Sequence, residues 1–219
     1  MNAVSLTPES LVGLRLGTSQ VAMKGIHQIG VALALWERSL PADLARWVEG
    51  LAQLPEGHLL AGHPELRAAV ASIVEPATRA GPMADRLVDD VCGLARLFLD
   101  LTDAEQVDLR LEAVDDDACA AFHRDCVGLR LITTYRGPGT EWVAPGDAEY
   151  ALRAQGDYAG AVHAFPEHSV GVFRGCKAQG IEGLVHRSPR IGDSVQSRLL
   201  LCLNTPTANS PPCWTGVAD

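Results

Sequence analysis

The residues best suited to chemistry lie in the run Ala120-Ala121-Phe122-His123-Arg124-Asp125-Cys126. On a strand, residues i and i+2 project from the same face. His123 and Asp125 would then aim an imidazole and a carboxylate at one point above a sheet. A divalent metal with mixed nitrogen and oxygen ligands needs that convergence. The H-x-D pairing alone describes a hydrogen-bonded surface pair equally well. A third donor comes from His186, in Val185-His186-Arg187-Ser188-Pro189, behind a strand-like run. Two neutral imidazoles and one carboxylate suit Fe(II) and leave coordination positions free. Arg198 opens the next strand-like segment, and its planar fork matches a carboxylate bidentately. Arg190 competes for that role, but it follows Pro189 in a turn-like stretch.

Cysteine offers a different site. Cys119, His123 and Cys126 could join His186 around a tetrahedral zinc ion, provided the chain turns there. The six cysteines Cys92, Cys119, Cys126, Cys176, Cys202 and Cys213 form no C-x-x-C pair. With no basic and apolar leader in Met1 to Pro8, free thiols in a reducing, cytoplasmic compartment are expected.

The elements that must position these groups change texture along the chain. Residues 1–105 read as a helical layer. Ser39 and Pro41 look like a helix start. Leu44, Trp47, Val48, Leu51 and Leu54 then recur at helical spacing. Leu66, Val70 and Ile73 repeat the pattern, and a third helix is expected from about Met83 to Leu101. From Val107 the period becomes two, as in Val107-Asp108-Leu109-Arg110-Leu111-Glu112. Leu129–Tyr135, His168–Phe173, Gly183–His186 and Arg198–Leu203 are further short strands between turn residues. This predicts an α+β chain with an antiparallel sandwich or barrel over 106–204. Residues 205–219 read as an irregular tail, and 1–219 as a single domain. If the odd positions of Leu129–Tyr135 face inward, Thr133 and Tyr135 line a pocket; Tyr135 reads equally well as a core aromatic. Gly137-Pro138-Gly139-Thr140 fits a type II turn.

A net charge of -9, from 18 Lys+Arg against 27 Asp+Glu, argues against nucleic acid and anionic lipid as partners. The longest apolar runs, such as Ile29 to Trp36, are too short to span a bilayer. A small molecule or a peptide is the expected substrate class.

The order His123-x-Asp125, His186, Arg198 resembles the Fe(II)/2-oxoglutarate dioxygenases. That resemblance implies a double-stranded β-helix, a cupin-like jelly roll. It implies iron on His123, Asp125 and His186, with 2-oxoglutarate as cosubstrate anchored by Arg198. It also implies a cosubstrate contact for Tyr135, with Thr133 beside it. A dioxygenase usually carries a small residue two places after the basic one; here that place is Leu200. Over Phe122–Asp125, Leu129–Trp142 and His186–Pro189 the chain also resembles a bacterial domain-of-unknown-function family, number 1826. Genes of that family tend to lie beside zinc-homeostasis genes. This fits an alternative, a non-catalytic zinc-binding protein on a cupin-like fold.

Overall fold

The computed structural model describes residues 12–117, 119–180, 182–191 and 197–216. The described residues begin with β1 (Leu14–Gly17), a 3-10 turn (Gln20–His27) and β2 (Leu33–Trp36). Helix α1 (Ala42–Glu49), β3 (Gly57–Gly62), α2 (Leu66–Thr78) and α3 (Pro82–Thr102) follow. The second half runs β4 (Gln106–Val114), β5 (Leu129–Arg136), β6 (Glu141–Trp142), α4 (Ala148–Ala154), β7 (His163–Ala164), β8 (Val170–Arg174), β9 (His186–Arg187) and β10 (Arg198–Asn204).

Seven strands form one sheet in the order β1-β2-β8-β5-β10-β4-β3, and three form a second in the order β7-β6-β9. The chain alternates between them. β4, β5, β8 and β10 belong to the large sheet; β6, β7 and β9 belong to the small one. His123, between β4 and β5, adds an isolated antiparallel bridge to His186 at the free side of β9. This alternating path is jelly-roll-like, but the large sheet stays open at β1 and β3.

The expectation of a purely helical layer over 1–105 is corrected. Helices α2 and α3 form where the apolar spacing predicts them; α1 is capped at Pro41 rather than Ser39 and ends at Glu49, short of Leu51 and Leu54, and β1, β2 and β3 from the same region extend the large sheet on both flanks. These strands are short apolar runs between turn residues. Without the neighbours β8 and β4 to pair with, they have no strand signal of their own.

Strand alternation divides the large sheet into two faces. Leu109, Leu111, Leu131, Val170, Val172, Leu199, Leu201 and Leu203 share a core with Leu44, Val48, Val70, Leu87, Val91 and Phe98 of α1 to α3. Burying each such side chain contributes about 1.5–3 kcal/mol. On the other face, Leu33, Leu35, Ile132, Phe173 and Cys202 meet Trp142, Phe165 and Leu184 at the small sheet. Residues 205–216 are irregular but docked. Cys213 bridges Leu60 in parallel, the Trp214 N–H donates to the Leu60 carbonyl (2.8 Å), and Ser210 donates to Asp108. No described helix is long and apolar enough to cross a membrane.

Candidate metal centre

His123, Asp125 and His186 converge. One donor atom from each lies within 4.8 Å of the others. His123 Nε2 is 3.6 Å from Asp125 Oδ1, and His186 Nε2 is 3.2 Å from Asp125 Oδ2. The backbone sets this up. The His123 N–H donates to the His186 carbonyl (3.0 Å), and the His186 N–H returns the bond (3.1 Å). That reciprocal pair brings the two rings to 4.5 Å between centroids. Phe173 closes the other side of the His186 ring at 4.7 Å.

The neighbouring residues hold the loop in register. Phe122 points away from the site and is buried. Gln155 bonds both its N–H (2.8 Å) and its carbonyl (2.9 Å), and the Arg187 guanidinium lies 4.2 Å over its ring. Asp125 is anchored from behind, because the Cys176 N–H donates to its carbonyl at 2.8 Å. Gly175 makes this approach possible: a Cβ there would stand 2.4 Å from the Val127 oxygen and 2.6 Å from the Asp125 oxygen.

The donors suit a divalent cation. His123 Nδ1 lies 2.9 Å from the Ala121 carbonyl and His186 Nδ1 lies 3.3 Å from the Leu184 carbonyl. A proton on each Nδ1 leaves both Nε2 lone pairs aimed at the site. Burial opposes the charge on Asp125. The two close histidines and the Arg130 cation outweigh it, holding the carboxyl far below its usual range. The nearby Asp125 carboxylate raises the pKa of His123. A carboxylate that draws a proton onto an imidazole draws a metal cation by the same field.

The triad lines a cavity of about 290 Å³ together with Arg110, Glu112, Arg130, Thr140, Ser188 and Leu200. Arg198 is fully buried beside it. Its Nη2 donates to the hydroxyls of Thr134 (3.1 Å) and Thr140 (2.6 Å), and its Nη1 to Ser188 (3.4 Å). Its buried Nε has no partner among the described residues. Desolvation presses its pKa down to about 10, against the more distant charges of Glu112 and Cys119. Among the described residues no carboxylate stands within ion-pair distance of it. A desolvated cation surrounded by neutral hydroxyls is a setting for an anionic group.

Thr133 and Tyr135 are not in this cavity, which corrects the inward-facing odd register. Tyr135 lies on the helix-covered face, where its hydroxyl donates to Asp90 at 2.6 Å, and Asp90 is held bidentately by Arg38 at 2.6 and 2.8 Å. Thr133 donates to the His168 carbonyl at 3.2 Å. The cause is the partner strand. Leu201 and Leu203 of β10 sit opposite Thr133 and Leu131, and their core is under the helices. The even positions Arg130, Ile132 and Thr134 therefore face the cavity side.

The turn after β5 also differs from expectation. The left-handed residue is Gly137, with φ +82°, and Gly139 is required because a Cβ there would lie 2.1 Å from the Phe165 oxygen. That close pairing seats Thr140 against Arg198. No thiol joins the donor cluster among the described residues. Cys119 lines the cavity, and Cys126 lies close to Cys176, whose thiol pKa it raises. Sequence reasoning passed over Arg130, Thr140 and Ser188. Arg130 carries the one readable signal, a cation flanked by Leu129, Leu131 and Ile132 beside the proximal ligands.

Several solved structures are similar to the chain at low identity. An auxin-oxidising dioxygenase from Arabidopsis thaliana, in complex with 2-oxoglutarate, is 10% identical; the match covers 78% of this chain and 75% of that one, with a TM-score of 0.39. A prolyl-4-hydroxylase from Pseudomonas putida is 14% identical over 77% of this chain and 96% of that one, with a TM-score of 0.38. A Kdo hydroxylase, described as a non-heme Fe(II) α-ketoglutarate-dependent dioxygenase in complex with cobalt(II), is 12% identical over 87% and 88%, with a TM-score of 0.39. No curated protein sequence matches the chain. A family profile described as "Protein of unknown function (DUF1826)" matches residues 17–204, so the chain belongs to the DUF1826 family.

Proposed function

We propose that this protein is an Fe(II)- and 2-oxoglutarate-dependent oxygenase acting on a small molecule or peptide. The observation that carries this reading is the His123, Asp125 and His186 donor set on the wall of a cavity large enough for more than one small ligand. Two imidazoles and one carboxylate on one side of an ion are the ligand set of non-haem Fe(II) oxygenases. Iron and the keto-acid together would supply the oxidising power: O₂ is consumed, 2-oxoglutarate becomes succinate and CO₂, and a substrate C–H becomes C–OH.

The residues of the chain do the rest. The reciprocal His123–His186 backbone bonds hold both imidazoles in place before any ligand arrives, which lowers the ordering cost of binding. Arg198 anchors the distal carboxylate of the keto-acid, with Thr134, Thr140 and Ser188 orienting its guanidinium. Thr140 and Ser188 reach the cavity wall and also offer hydroxyls to the ligand. Arg110 and Glu112 stand on the wall nearer β4 and are assigned to the substrate. A closed tetrahedral zinc site would need a fourth protein ligand, and the described donor cluster holds three.

The test is an anaerobic Fe(II) titration followed by visible spectroscopy with and without 2-oxoglutarate. A weak charge-transfer band that requires both, and disappears in Asp125→Ala, is the expected result. Iron uptake with no band on adding the keto-acid would leave a metal site and remove the oxygenase reading. Zinc uptake that depends on Cys119 or Cys126 would replace it with the metal-homeostasis alternative.

A further inference from the structure

Directly behind the donor set stands a charge that the donors alone do not require. Arg130 Nη1 donates to Asp125 Oδ2 at 2.6 Å, the same oxygen that faces His186 Nε2. Arg130 Nε donates to Asn204 Oδ1 at 2.7 Å, and Asn204 is itself buried. The guanidinium is thus clamped between a candidate metal ligand and the neighbouring strand β10. It lines the cavity and is largely desolvated, as is the carboxylate it meets. An arginine side chain does not lose its proton in a protein, so this charge is permanent.

The consequence follows from counting charge. A divalent ion on two neutral imidazoles and one carboxylate has a net charge of plus one. Arg130 in direct contact with that carboxylate makes the cluster plus two. In a partly desolvated site, one extra charge a few ångströms away changes the binding of an ion by an order of magnitude or more. It weakens the hold on the metal cation. It strengthens the hold on an anion that enters the metal's free positions, most of all a dianion. The Asn204 clamp keeps the guanidinium from swinging away when such a ligand binds.

We propose that Arg130 is a positioning and charge-setting residue that makes the metal centre selective for dianionic chelating ligands at its open positions. Arg198 lies further along the sheet face, at the other end of β10 from Asn204. The proposal rests on the metal-site reading given above, but not on the identity of the keto-acid.

Oxalate separates the two arginines. It is a bidentate dianion with no second arm to reach Arg198. Co(II) is loaded into the intact wild-type chain, Arg130→Gln and Arg130→Lys, and its visible bands are followed as oxalate and then 2-oxoglutarate are titrated. Glutamine keeps a donor for Asp125 and loses the charge; lysine keeps the charge. Arg130→Gln is expected to bind oxalate about tenfold more weakly or worse, to hold Co(II) at least as tightly as wild type, and to be rescued by Arg130→Lys. Oxalate binding unchanged in Arg130→Gln overturns the proposal. So does equal loss in the lysine variant, which would make the effect one of shape. Loss of Co(II) from Arg130→Gln overturns it too, since Arg130 would then only support Asp125. If oxalate behaves as expected while 2-oxoglutarate fails to bind wild type, the role of Arg130 stands and the oxygenase reading falls.

Discussion

The two faces of the large sheet are built from the same strands and do opposite work. The face under α1 to α3 is apolar at almost every position, and most of its few polar groups are paired. Tyr135, Asp90 and Arg38 close a hydrogen-bonded set there, and Thr133 has the His168 carbonyl. The face toward the small sheet carries Arg110, Glu112, Arg130, Thr134, Arg198 and Asn204, interleaved with Leu200, Cys202 and Ile132. Arg198 is buried there without a described counterion. Burying a charge in that way costs free energy. One face holds the fold together, and the other uses stability gained elsewhere to keep charges desolvated.

Substitutions can break that comparison from either side. On the helix face, Phe98→Ala empties a fully buried ring site. It is expected to cost about 3–5 kcal/mol in chemical denaturation, with Co(II) affinity of the folded fraction unchanged. A loss of metal binding at equal cost would mean that the two faces are not separable. On the cavity face, Asp125→Ala is expected to weaken Co(II) binding by about a hundredfold or more, read by metal titration, while far-ultraviolet circular dichroism stays the same.

Arg198→Met sharpens the contrast further. It should lower 2-oxoglutarate affinity by about tenfold or more. Without ligand it should leave stability unchanged or raise it by about 1–4 kcal/mol, because a desolvated cation is replaced by an apolar chain of similar length. A strongly destabilised variant would show that Arg198 is a structural cation. The smallest effect is expected for Tyr135→Phe, about 1 kcal/mol from one lost hydrogen bond, with 2-oxoglutarate affinity the same as wild type. A change in that affinity would return Tyr135 to the cosubstrate pocket.

Much of the site could be read from residue types in order along the chain. His123, Asp125 and His186 were legible because an i, i+2 pair and a distal histidine are local patterns on strand-like segments. Helices α2 and α3 and the core of α1 were legible because their apolar spacing repeats over two or more turns; the seven-residue α4 was not. The strands β1, β2 and β3 were not, since each is a run of four to six residues whose pairing partner lies far away in the chain. The two-residue strands β6, β7 and β9 are shorter still, and exist through pairing alone.

What the sequence determined by itself is the set of donors and the strand alternation that puts Arg130, Ile132 and Thr134 on one face of β5 and Leu131, Thr133 and Tyr135 on the other. Alternation has two solutions, and the strand does not choose between them. The choice came from β10 and α3, where Leu199, Leu201 and Leu203 join the helix core and carry Leu131, Thr133 and Tyr135 with them. That one decision moved Tyr135 away from the cavity and brought Arg130 to Asp125. The reason is physical: a side chain's direction is local geometry, but which direction is inside depends on where the largest apolar surface can be buried.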